Sequence, residues 1–362
     1  MKWLLHLLEA FRPLFEADGK LKSLKPLFMA TDRFFFSSPA ATRGAPHVRD
    51  PLDVKRFMSM VIIGLLPCLL CSLYFFGLRV LAMIAVSYAV GGAIEVMFAI
   101  IRKEEINEGF LVTGLIFPLI LPPTTPLWMV AAGIAFGVVV GKELFGGTGR
   151  NLFNPALVGR CFLLLSYPAA MSKSWIMPGS GLWGRLTQYV KIAEVDAISC
   201  ATPLAMAKEG DPAPLWNLFT GHVSGSVGET SALAVILGGM FLVATRVANW
   251  RTVVAVLGSY IVLGGLLHAL FPEMFGPVIW HVMAGSLLFG AVFMATDPVT
   301  SPATDGAKWA FGILIGVMTL MIRNIGGYAE GVMFAILMGN IFAPILDEVV
   351  IRRRLRRLNL ER

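Results

Sequence analysis

The stretch Gly114-Leu115-Ile116-Phe117, followed by Pro122, Thr124 and Pro126, returns as Gly290-Ala291-Val292-Phe293, followed by Pro298, Thr300 and Pro302, at a constant spacing. After three extra residues, Gly133, Gly137-Val138 and Gly147 match Gly312, Gly316-Val317 and Gly326. Both copies sit inside long apolar regions. Apolar windows of about 15 to 23 residues, most of them of the length that crosses a hydrocarbon layer as a helix, fall near 57–77, 80–101, 109–123, 126–145, 151–170, 229–248, 252–271, 279–296, 309–323 and 328–350. The repeat lays the third window on the eighth and the fourth on the ninth. That shift covers an odd number of crossings, so the two halves run oppositely through the membrane. The expected fold is an all-α integral membrane protein of about ten transmembrane helices in two inverted five-helix repeats. Windows 109–123 and 279–296 end in Pro122-Pro123 and Asp297-Pro298, which marks them as broken or re-entrant segments.

Composition agrees with that reading. The 362 residues are 56% hydrophobic and 15% charged, which excludes an ordinary soluble enzyme. The net charge of +7 is explained by a membrane and does not point to nucleic acid. With both termini inside, most of the 30 Lys and Arg fall on the cytoplasmic face, and the hydrophilic segment 171–228 lies outside. The chain then divides into a cytoplasmic N-terminal region (1–56), a first repeat (57–170), an outer segment (171–228), a second repeat (229–350) and a basic cytoplasmic tail (351–362) held against anionic lipid. Cys68, Cys71, Cys161 and Cys200 form no disulfide or zinc pattern and read as buried small hydrophobes.

No phosphate-loop or zinc-protease signature occurs, and Gly146-Gly147-Thr148-Gly149 is not preceded by a strand, so no catalytic residues and no metal site are expected. Ionisable groups inside or at the edges of the windows are costly and point to function: Glu108, Glu143, Arg160, Asp297, Glu330 and Asp347. In the outer segment, Asp196-Ala197-Ile198-Ser199-Cys200-Ala201-Thr202 reads on its own as a loop with turn chemistry.

That heptapeptide resembles the flavin-attachment motif D-x-x-[S/T]-G-A-T, whose final Thr a flavin transferase esterifies to the phosphate of FMN. Cys200 stands where the motif has Gly, and Asp196, Ser199, Ala201 and the acceptor Thr202 are present. The segment His47 to Arg56, Gly141-Lys142-Glu143-Leu144-Phe145-Gly146-Gly147 through Asn151 with Asn154-Pro155-Ala156-Leu157, and Gly225-Ser226-Val227-Gly228-Glu229-Thr230-Ser231 are similar to the flavin-bearing B subunits of the sodium-translocating NADH:quinone reductases. This resemblance runs over essentially the whole chain. The related D subunit of Rnf-type ferredoxin:NAD oxidoreductases is an alternative, and a flavin-free channel or transporter of the same architecture is another.

The resemblance implies an FMN joined covalently to Thr202, a second flavin, riboflavin, bound non-covalently, and ubiquinone as electron acceptor. It implies Na+ export, with Asp347 and Glu108 as acids of the ion pathway. The chain would then be one subunit of an enzyme complex. Other subunits supply the NADH site, FAD and iron–sulfur cluster, the second FMN and further membrane helices. Gly225, Ser226 and Gly228, with Glu229 and Thr230, would lie near the phosphate at the start of the sixth window, where a helix N-terminus favours an anion. An N-cap by Thr230 or Ser231 is the competing reading of the same residues.

Overall fold

The computed structural model of the chain describes residues 54–103, 109–173, 175–178, 201–326 and 330–360. Among these residues the secondary structure is helical, with no strand. The helices are α1 (Val54–Phe76), α2 (Arg79–Arg102), α3 (Gly109–Leu119), α4 (Leu127–Gly141), α5 (Pro155–Ser166), α6 (Pro168–Lys173), α7 (Pro203–Lys208) and α8 (Leu215–Thr220). They continue with α9 (Ala232–Ala244), α10 (Trp250–Leu270), α11 (Val278–Met283), α12 (Leu287–Phe289), α13 (Asp305–Asn324) and α14 (Val332–Leu360).

Six helices (α1, α2, α4 with the turn after it, α10, α13 and α14) are long and apolar enough to cross a membrane. The windows expected at 109–123, 151–170 and 229–248 hold shorter helices, each bounded by a residue that ends or starts a helix. Pro122 and Pro123 lack an amide to continue α3. Asn154 caps α5, its side-chain oxygen accepting from Ala156 N at 3.1 Å with Pro155 as first helical residue. Ser231 caps α9, accepting from Ala234 N at 3.3 Å, which assigns that cap to Ser231 and not to Thr230.

The window expected at 279–296 is broken. α11 stops at Met283, Ala284 is extended, and Gly285 takes a φ of +68°, a conformation that Gly adopts without strain. α12 then runs into a π turn over Gly290–Met294, closed by Ala295 N donating to Gly290 O at 2.8 Å.

Packing follows the small residues. α2, α4 and α5 pack together, as do α10, α13 and α14, while α1 and α9 pack across the middle. At the α1–α9 crossing a Cβ on Gly238 would lie 2.1 Å from Gly64 O, so the two backbones touch. Between α4 and α5 a Cβ on Gly137 would lie 2.4 Å from Pro155 O. This close approach is what small residues permit where lipid supplies no hydrophobic drive between helices. The glycines matched by the repeat use different neighbours, because Gly137 faces α5 and its counterpart Gly316 faces Val256 and Ser259 of α10.

The quoted repeat forms the centre of the bundle: Gly114 to Leu119 and Gly290 to Met294 are buried throughout. The loop after each copy is tied by a polar side chain. The buried Arg79 donates to Pro123 O, Thr124 O and Thr125 O at 2.9, 3.1 and 2.9 Å. Asp347 accepts from Ala303 N and Thr304 N, both at 2.8 Å.

Gly238→Ala is expected to destabilise the chain by about 1–3 kcal/mol, since the added methyl meets backbone that cannot turn aside. Thermal exposure of the buried Cys68 to a maleimide dye checks this. The control Gly258→Ala, whose methyl meets nothing within 4 Å, is expected to leave the transition in place or raise it.

Candidate functional site

Seven of the sequence-selected residues, Arg160, Thr202, Gly225, Ser226, Glu229, Thr230 and Glu330, line one small cavity at the end of the bundle where α9 and α14 begin. Gly285 of the broken helix lines it as well. Thr202 is half-buried and extended, and its Oγ1 accepts from Ala205 N at 3.3 Å as the cap of α7. Ala201 joins the same region by its carbonyl, which accepts from the Ser224 hydroxyl. Gly228 does not contribute its amide, as expected for a phosphate cradle. That N–H donates to Leu119 O at 2.7 Å, and Val227 N donates to Leu121 O at 3.0 Å, so the strap is spent closing the end of α3. Asp196, Ser199 and Glu108 lie outside the described residues.

Two buried ion pairs frame the cavity. Arg160 Nη1 lies 3.3 Å from Glu229 Oε1, with Ser226 Oγ 3.5 Å from Nη2. Arg323 Nη2 lies 2.9 Å from Glu330 Oε1. The second pair serves the break in the helix. Arg323 donates to His281 O at 2.8 Å and Ala284 O at 3.1 Å, while Glu330 Oε2 accepts from Ser286 N at 2.9 Å. Backbone groups released by the break therefore find charged partners in place of water. Gly285 must lack a side chain, since a Cβ there would lie 2.2 Å from Glu330 Oε2 and 2.7 Å from Leu204 Cδ1.

The other end of the bundle holds a second charged group. Lys142 Nζ is in contact with Glu95 Oε1, both side chains being buried, and Arg102 Nη1 lies 2.7 Å from Glu143 Oε2. Asp297, just past the π turn, accepts from Thr300 Oγ1 at 2.9 Å and Val299 N at 3.3 Å. Burial pushes its carboxyl above the ordinary carboxylate range, opposed by those two donors and by the Lys142 charge. Asp347 lies at this end as well, and its oxygens are engaged by the start of α13, Thr304 Oγ1 adding a 2.6 Å bond to the two amides. Glu95 was not singled out from the sequence. A carboxylate in mid-window was the signal that would have found it. Lys142 was legible only as part of a motif.

Among the described residues no group of three or more His, Cys, Asp or Glu is placed to hold a metal ion. The cavity brings the hydroxyls of Thr202, Ser224, Ser226 and Thr230 together with one guanidinium and two carboxylates.

A chain whose described residues are helical, with six helices long and apolar enough to cross a membrane and a charged cavity at a broken helix, has the architecture of a multi-pass membrane protein. A model of the NQR2, RnfD, RnfE family matches residues 41–356, and the chain belongs to that family. It is 38% identical to the B subunit of the Na(+)-translocating NADH-quinone reductase of Klebsiella pneumoniae, over 97% of this chain and 98% of that protein. It is equally similar, at 38%, to the proteins of that name from Pseudomonas paraeruginosa, over 97% and 98%, and Chromohalobacter salexigens, over 97% and 94%.

Glu229→Gln is expected to cost about 3–5 kcal/mol by leaving Arg160 as an uncompensated buried charge, whereas the double change Arg160→Met with Glu229→Met recovers most of that loss. Thermal unfolding of the two variants side by side measures the difference. Asp347→Ala is expected to cost about 1 kcal/mol through the lost hydrogen bonds to the Ala303 and Thr304 amides and the Thr304 hydroxyl just before α13, with Asp347→Asn intermediate, by the same unfolding measurement.

Proposed function

We propose that this chain is the membrane redox subunit of a sodium-pumping NADH:quinone reductase, carrying FMN in phosphoester linkage to Thr202 and passing electrons by way of riboflavin to ubiquinone. Na+ export is driven by that transfer. The observation that carries the reading is the convergence on one cavity of Thr202 with Gly225, Ser226, Glu229 and Thr230, residues picked from sequence alone. The names of the full-length relatives support it. They favour it over the D subunit of an Rnf-type complex, although the family model includes both kinds.

The donor set fits the group. Arg160 and Ser226 supply N–H and O–H groups beside Thr202, and Gly225, with only Thr230 Cγ2 near its missing Cβ, leaves room for a phosphate. FMN, when bound, supplies one- and two-electron chemistry that protein side chains cannot. The residues present attach and orient it and set the field around it. The partners are the NADH, FAD and iron–sulfur subunit, a second FMN-bearing subunit, small membrane subunits and a flavin transferase.

In the same reading the chain spans a bacterial inner membrane ten times as two inverted halves, with both termini cytoplasmic and the Thr202 loop periplasmic. The loops held by Arg79 and Asp347 lie at opposite ends of the bundle, as inverted copies require. Asp347 and Glu108 belong to the ion pathway, Asp347 in addition to its capping bonds.

In-gel flavin fluorescence of the denatured chain, coexpressed with a flavin transferase, tests the central claim. Wild type is expected to give a fluorescent band and Thr202→Ala none. A dark wild-type band beside an active transferase overturns the redox reading in favour of a flavin-free transporter.

A further inference from the structure

Two tryptophans stand exposed at the end of the bundle where α10 and α13 begin. Trp250 is the first residue of α10 and Trp309 lies in the second turn of α13, and both helices are of membrane length. The rings are 48% and 38% exposed, yet they meet edge to face at a centroid distance of 5.9 Å. Indoles at the end of a membrane helix are placed for the headgroup layer, where one edge is wet and the other apolar. One turn further along each helix, on the same stripe, Val254 and Ile313 are exposed as well.

Cations flank the pair. The Arg251 guanidinium lies over the Trp250 ring at 5.1 Å, a contact that fixes both groups. Arg251 Nη1 lies 3.0 Å from Asp305 Oδ1, and Lys308 Nζ lies 3.7 Å from the same oxygen. One largely exposed carboxylate therefore serves two cations, and the cluster keeps a net positive charge. Lys308 also faces Asp347, whose oxygens are taken up by the Ala303 and Thr304 amides and the Thr304 hydroxyl. A guanidinium with one donor on a carboxylate has others to offer, and an exposed ion pair opens at little cost. The basic tail lies at the same end. A Cβ on Gly306 would lie 3.4 Å from both Val350 methyls, so the start of α13 rests on α14 just before the exposed run from Arg352 to Arg357.

We propose that Trp250 and Trp309, with Arg251 and Lys308, form a binding site for one anionic phospholipid. Its phosphodiester sits between the two cations, its glycerol backbone against the indole edges, and its acyl chains along the apolar stripes that run from Trp250 to Val254 and from Trp309 to Ile313. The site requires a multi-pass membrane protein and is independent of the flavin attachment at Thr202. One surplus positive charge matches one phosphodiester. A soluble anion satisfies the cations but leaves the exposed indoles and aliphatic side chains uncovered, so the lipid accounts for all four groups together. The arginines of the tail raise the local share of anionic lipid without forming part of the site.

Bromine on an acyl chain quenches indole emission on contact, so chain-brominated lipids report which lipid lies against the pair. The full-length chain is reconstituted in dioleoylphosphatidylcholine vesicles, with dibrominated phosphatidylglycerol or dibrominated phosphatidylcholine replacing a rising share of the lipid. The emission of the pair is read, in each background, as the part lost with Trp250→Phe and Trp309→Phe together. Half-quenching is expected at a several-fold smaller share of phosphatidylglycerol than of phosphatidylcholine. Arg251→Gln with Lys308→Gln is expected to bring the two shares together, and Arg353→Gln with Arg354→Gln in the tail to keep them apart.

Equal shares in wild type overturn the site, as does a preference that survives the loss of Arg251 and Lys308 or falls with the tail arginines. Millimolar inorganic phosphate is expected to leave the preference unchanged, and its abolition by phosphate assigns the cations to a soluble anion instead. A preference present in the isolated chain and lost in the assembled complex hands the patch to a protein neighbour and overturns the lipid. If the variant lacking both cations does not fold, Asp305→Asn decides. Freeing the two cations is expected to widen the preference about twofold or more, and an unchanged preference overturns the proposal.

Discussion

A chain that breaks a helix inside a packed bundle releases amides and carbonyls from the helical ladder, and polar side chains of this structure are placed to receive them. Arg79 takes the carbonyls after α3. Arg323 takes those at the end of α11, Glu330 the amide of Ser286, and Asp347 the amides before α13. A buried group left without a partner costs about 1–3 kcal/mol, so Arg79, Arg323 and Glu330 are part of what makes the irregular backbone stable. Charged residues that composition alone would treat as anomalies are what allow the irregular backbone to exist.

The same constraint explains why the functional candidates gather where they do. A broken helix needs charged partners, and those partners bring polar groups together at one place. Arg323 and Glu330 close the gap at Gly285, and Glu330 also lines the cavity beside Thr202.

Much of this was legible in the sequence, for reasons that differ by residue. The windows at 57–77, 80–101, 126–145, 252–271, 309–323 and 328–350 hold helices long and apolar enough to cross a membrane, because hydrophobic length is a strong signal. The windows at 109–123, 151–170 and 229–248 hold shorter helices, and the one at 279–296 is broken at Gly285. The cavity residues came from a resemblance, since nothing in the spacing of Gly225, Ser226 and Glu229 shows that they return to Thr202. What was not legible depends on contacts distant in sequence: the amide of Gly228 spent on Leu119 O, and the Glu95–Lys142 pair. The cap of α9 was narrowed to two neighbours, and only geometry chose Ser231.

Asp347 shows how such sharing complicates genetics. Its carboxylate sits in the long terminal helix that continues into the exposed basic run Arg352 to Arg357, yet its bonds fasten the first turn of α13. Any force on the exposed tail is thereby delivered to a helix that packs tightly against α10. Removing this acid loosens a rivet between two helices, so any loss that follows carries a structural part that belongs to the rivet and not to whatever else the carboxylate does.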